Sequence, residues 1–143
     1  MVNLILNAVT KQLGKKFGTT YHYYKEDVEQ NFIEPCFTVD ARLPTQRSRS
    51  PVMYDRSVPL ILHYFTNNEK TRKQELYDMG EQLYECLEYL NIDGDLLRGN
   101  DMSWRITEGV LQFFVTYEFM TKRVDNDQIA MEVLEETNSS TTN

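Results

Sequence analysis

Residues 102–123 read MSWRITEGVLQFFVTYEFMTKR. Met102, Trp104 and Ile106 alternate with polar neighbours, Glu108-Gly109 interrupts, and Leu111, Phe113, Val115, Tyr117 and Phe119 alternate again. A period of two sends successive side chains to opposite faces of a pleated strand, so the stretch predicts a two-stranded antiparallel hairpin with one continuous apolar face. Such a face needs a second layer to cover it.

The covering layer is predicted from two helical patterns. Val2, Ile5, Leu6, Val9, Leu13 and Phe17 recur at helical spacing with Gly18 after them, which predicts a helix over residues 2–17 ended by a left-handed cap. Its outer side carries Asn3, Asn7, Lys11 and Lys15. A second helix is expected to open at Asn67-Asn68, to bury Leu76, Met79, Leu83, Leu87 and Leu90, and to end near Asn91. Tyr77, Tyr84, Glu75, Asp78, Glu81, Glu85 and Glu88 make its other surface, which is strongly acidic. The stretch IDGDLLRGND that follows is rich in turn residues, and helix cannot continue there.

Three further strands are expected. Residues 19–25, TTYHYYK, suit a short one. In the second, Phe37, Val39, Ala41 and Leu43 fall on one face and Thr38, Asp40 and Arg42 on the other, the pattern of a half-exposed strand. Val58 to Phe65 is apolar on both faces and reads as central, with Pro59 keeping its start near an edge or bulge. Asp27 to Phe32 reads as a polar connector. These elements predict an α/β (α+β) fold, a mixed, mainly antiparallel sheet of about four or five strands packed by an N-terminal helix and a second long helix.

At 143 residues the chain has the size of one domain, expected over residues 1–123. Residues 124–143, acidic and without aromatics, are expected to form a mobile tail in which Ile129 to Leu134 is a candidate partner-bound helix. Pro44 to Ser57 holds Arg47, Arg49 and Arg56 in a stretch of little periodicity, read as an exposed loop or a long hairpin whose tip is disordered until bound, and as the best candidate for an assembly arm. The net charge of −7 disfavours sequence-independent nucleic-acid binding as the main activity, because phosphate neutralisation needs a basic surface.

Chemistry finds little to build on. His22 and His63 are the only histidines, each isolated in a strand and read as structural rather than catalytic or metal-ligating. Asp93-Gly94-Asp95 begins like a calcium loop, but Arg98 stands where that loop requires glycine and Trp104 where it requires an acidic ligand. Cys36 and Cys86 read as small buried hydrophobes of a protein from a reducing compartment. No cofactor, metal or membrane segment is expected, and the N-terminal apolar patch lacks the marks of a signal peptide.

YHYYKEDVEQNFIEPCFTV followed by LYECLEYLNIDGDLLRGNDMSWRITEGVLQFFVTYEF resembles the phage tail terminator family. The marks are Glu34-Pro35-Cys36-Phe37, Asp93-Gly94-Asp95-Leu96 with Arg98-Gly99, and Glu108-Gly109-Val110-Leu111 before Phe113-Phe114-Val115. The resemblance implies a non-enzymatic structural protein of the virion tail or neck, assembled in the host bacterial cytoplasm. It implies a homo-oligomeric, commonly hexameric ring on the head-proximal end of the tail tube. That ring would stop tail polymerisation, hold the sheath protein in a contractile tail, meet a head-tail connector or neck protein, and let DNA pass its lumen without specific binding. Arg47, Arg49 and Arg56 facing Glu81 and Glu85 of the next subunit are the expected assembly contacts. The alternatives are another neck component, such as a connector or stopper, and a small host-directed enzyme or regulator.

Overall fold

The structure, a computed structural model, describes residues 1–25, 33–68, 70–124 and 128–130. Its elements are α1 (Val2–Phe17), β1 (His22–Lys25), β2 (Cys36–Ala41), β3 (Thr45–Ser48), β4 (Met53–Phe65), α2 (Arg72–Cys86), β5 (Tyr89–Ile92), β6 (Asp95–Thr107), β7 (Val110–Val124) and β8 (Gln128–Ala130). The fold is the expected α+β. Its sheet has eight strands rather than four or five, in the order β1-β2-β4-β7-β6-β5, with β3 paired to β4 and β8 to β7. β1 and β2 are parallel and the other pairs antiparallel, so the sheet is mixed.

The deciding hairpin is β6–β7, turned at Glu108 (φ 53°) and Gly109 (φ 77°). Two residues at positive φ twist in the sense of the flanking strands, and Asp93 (φ 53°) and Gly94 (φ 91°) repeat the device between β5 and β6. Alternation then sorts the sheet. Phe37, Val39, Leu60, Leu62, Tyr64, Leu111, Phe113, Val115 and Tyr117 are buried on one face with Ile5, Val9 and Leu13 of α1 and Leu76, Met79 and Leu83 of α2. Each such side chain contributes about 1.5–3 kcal/mol by leaving water. α1 touches β1 and β2 at one end of the strand order and β5 at the other, so the sheet curls about it. Asn3, Asn7, Lys11 and Lys15 stay exposed, and Gly18 closes the helix at φ 86° with its N–H on the Gly14 carbonyl.

Several expectations are corrected. β2 stops at Ala41 and Leu43 is 77% exposed, because the chain leaves the β4 ladder at Arg42 and rejoins it as β3. Cys36 and Thr38 are buried, so the start of β2 is covered on both faces. Pro59 sits in the middle of β4. Its carbonyl accepts the Arg42 N–H at 2.8 Å, so its missing N–H points to the side where pairing passes from β2 to β3, and no ladder bond is lost. α2 begins at Arg72 rather than Asn67 and ends at Cys86; Leu87 caps it and Leu90 belongs to β5. Asp93-Gly94 made that ending possible by folding Tyr89–Ile92 back on β6, a pairing that outcompetes another helical turn. In the free chain Ile129 and Ala130, the first two residues of the candidate partner-bound helix, belong to β8 on β7. The connector expected at Asp27–Phe32 lies outside the described residues.

Candidate assembly surfaces

Pro44 to Ser57 forms a hairpin, the second of its two readings, but its tip is ordered in the free chain rather than disordered. β3 pairs with β4 from Thr45 opposite Ser57 to Ser48 opposite Tyr54, and all four of its residues are exposed. The tip is held by the Ser50 hydroxyl, which accepts the N–H groups of Val52 (3.3 Å) and Met53 (3.1 Å). The Arg123 N–H donates to the Val52 carbonyl at 2.7 Å, and its guanidinium donates to the Tyr54 hydroxyl. A hairpin built this way is held by its own hydrogen bonds before any contact is made.

The three arginines of the arm separate. Arg47 is exposed on β3 opposite Asp55, and Arg49 bridges to Asp55 at 3.1 Å. Arg56 lies on the helix side of β4, its guanidinium 5.8 Å from the Phe119 ring and its Nε buried without a hydrogen-bond partner. Arg47 and Arg49 therefore share a surface, and Arg56 belongs to the packing behind it. Glu81 and Glu85 are exposed on α2 beside Asp78. Two of the acidic positions do other things: Glu88 lies past the helix and bridges Arg98 at 3.5 Å, and Glu75 accepts the hydroxyls of Tyr64 (2.6 Å) and Thr66 (3.0 Å). Burial and the Glu75 carboxylate push the Tyr64 phenol well above its ordinary range.

The opposite face of the sheet carries no helix among the described residues and was not singled out by the sequence reading. Thr38, His63, Gln112 and Arg105 stand in one row across β2, β4, β7 and β6. His63 Nδ1 is 3.4 Å from the Thr38 hydroxyl, its Nε2 3.4 Å from the Gln112 amide, and Arg105 Nε donates to Gln112 Oε1 at 2.7 Å. In the next row Asp40, Ile61, Phe114 and Ser103 are in register. Phe114 stands between two guanidiniums, Arg42 at 5.8 Å and Arg105 at 5.5 Å from its ring centroid. The signal was present in the Phe113-Phe114 pair, since alternation that buries one ring must turn the other outward.

Among the described residues no group of three His, Cys, Asp or Glu side chains is placed to hold a metal. His22 is exposed on β1, and His63 is occupied by the polar row. A groove of about 350 Å³ beside α2 is lined by Tyr21, Thr71, Gln74, Glu75, Asp78, Met79 and Gln82. Cys36 and Cys86 are buried free thiols.

A family model described as phage tail terminator protein matches residues 4–129. The chain belongs to the phage tail terminator family. Members of the phage tail terminator family are structural proteins of the phage tail. No curated protein matches the chain. One solved structure aligns at 9% identity with a TM-score of 0.43, over 87% of this chain and 96% of its own. Among the described residues, no helix of this family member is long and apolar enough to cross a membrane.

Proposed function

We propose that the protein assembles as a ring on the head-proximal end of the tail tube, where it stops polymerisation of the tube and joins the tail to the neck. The observation that carries this reading is the family match over residues 4–129. In a contractile tail the same ring holds the last layer of sheath, and DNA passes its lumen without specific binding. Residues 1–123 form the body of each subunit, and residues 124–143 are an acidic appendage that starts on β7 through β8.

A ring needs a heterologous contact, in which one patch of a subunit meets a different patch of the next. The arm supplies one partner, with Arg47 exposed at its centre and Arg49 beside it; α2 supplies the other, with Glu81 and Glu85 exposed. Opposite charges on the two patches steer the encounter and fix its register. Arg56 supports the arm from behind.

Light scattering and negative-stain imaging of the purified chain, with and without tail-tube protein, test the reading. Closed rings of several 16.9 kDa subunits, free or on tube ends, are the expected result. A monomer that ignores tubes and binds portal or adaptor protein instead would move the assignment to a head-tail connector. Exchanging Arg47 and Arg49 for glutamate is expected to weaken assembly while the monomer stays folded.

A further inference from the structure

We infer that the face of the sheet opposite α1 and α2, around Phe114, is the seat for the acidic outer face of α2 from a second copy of this chain. The inference rests on the ring reading and names the surfaces through which neighbouring subunits meet.

Phe114 is half-buried on β7, flanked in register by Ile61 and Ser103, and forms an apolar platform with an exposed arginine on each side. Both guanidiniums lie over its ring, and Arg105 is fixed further by Gln112. Neither Arg42 nor Arg105 forms an ion pair among the described residues. Arginines held in place before binding lose little side-chain freedom when a carboxylate arrives. An aromatic centre with arginine beside it is also the composition in which interface energy concentrates.

The charge pattern selects the occupant. Asp40 and Glu118 share this face, so it is not the uniformly basic track that a nucleic-acid backbone needs, and the chain's net charge of −7 opposes such a partner further. Two separated cations fit two separated carboxylates. The guanidinium carbons of Arg42 and Arg105, measured through the ring centre, are at most about 11 Å apart. Asp78 and Glu85 are exposed on α2 two turns apart, which is a rise of about 10 Å.

The helices cover one face of the sheet, so the outer side of α2 and the Phe114 face point away from each other in one subunit. The contact cannot close within a chain; it repeats head to tail from copy to copy, and a rotation at each step closes it into a ring. Arg47, opposite Asp55 on β3, lies on the same face as Arg42, so the arm and the Phe114 platform make one surface.

The test measures assembly of the full chain by light scattering over a concentration series, and binding to tube ends by negative stain. Arg42→Glu with Arg105→Glu is one variant, Asp78→Arg with Glu85→Arg another, and the combination of all four a third. Each reversed set is expected to raise the concentration for half-assembly by about tenfold or more, and the combination to bring it back within about threefold of the parent. If a reversal lowers the melting temperature, Arg42→Gln with Arg105→Gln is used in its place, with weaker assembly again expected. Rings that form in both reversed sets at the parent's concentration overturn the seat and leave the ring reading standing. Lost assembly that the combined variant does not restore overturns α2 as the occupant. A wild type that forms no ring, free or on tubes, overturns the ring reading and this inference with it.

Discussion

Gly80 of α2 rests directly on the indole of Trp104 in β6: a Cβ at position 80 would lie 2.4 Å from Cε2 and 2.6 Å from Cδ2. The helix approaches the sheet at that point through its backbone, and Tyr77 flanks the same indole with ring centroids 6.0 Å apart.

Gly80→Ala is therefore expected to destabilise the fold by about 1–3 kcal/mol, the usual cost of overpacking, although alanine favours helix by about 1 kcal/mol. Gly14 in α1 is the control, since a Cβ there meets nothing within 4 Å. Gly14→Ala should stabilise by about 0.5–1 kcal/mol. Urea melts of the two variants check this; equal shifts would show that the contact with Trp104 carries no weight.

Tyr117 is fully buried, and its hydroxyl donates to the carbonyl of Leu87 at 2.7 Å. Leu87 caps α2, where helix carbonyls lack partners within the helix. Tyr117→Phe removes that donor and is expected to cost about 1–2 kcal/mol. Tyr77→Phe, at a residue 48% exposed, should change stability by no more than about 0.5 kcal/mol. Chemical denaturation midpoints at constant slope separate the two.

Burial pushes both thiols, Cys36 and Cys86, from 9.0 up to about 11. The folded state favours the neutral thiol, so their contribution is complete below pH 9 and is lost as pH rises from about 9 through about 11. Stability should fall across that window, and the buried phenols of Tyr64 and Tyr117, also raised, deepen the loss at higher pH. Denaturation curves recorded between pH 8 and 11 check the slope. In the same samples a thiol reagent at pH 8 should label the native protein far more slowly than the unfolded one; fast labelling of both thiols would contradict their burial.

Arg47 and Arg56 should rank in opposite orders in two measurements. Arg56→Ala removes a half-buried stem and the cation lying over Phe119, and is expected to cost about 1 kcal/mol of stability. Arg47→Ala removes an exposed side chain and should leave stability within about 0.5 kcal/mol while weakening assembly more than Arg56→Ala. Thermal melts and light scattering on both variants give the two rankings.

How much could be read in advance follows the range of the forces involved. The limits of α1, the β6–β7 hairpin and the central place of β4 rest on periodicity and turn chemistry, which act over a few residues. β1 was legible through its run of β-branched and aromatic residues, whereas β3, β5 and β8, equally short or shorter, lack such a run and owe their form to a partner strand. The end of α2 was misplaced for the same reason: Leu87 and Leu90 continue the helical spacing, but pairing with β6 takes the chain first.

The candidate surfaces divide in the same way. Composition alone marked an arginine-rich arm and an acidic helix, and the sequence determined that these charges stand apart in the chain, since each lies within one continuous segment. Only the tertiary structure decided which arginines remain available. Strand register turns Arg56 to the covered side, gives Arg49 to Asp55, and brings Arg42 and Arg105, sixty-three positions apart in the chain, to either side of Phe114. Residue types and their local spacing set what each segment can become; the pairing of distant strands sets which face each side chain shows to a partner.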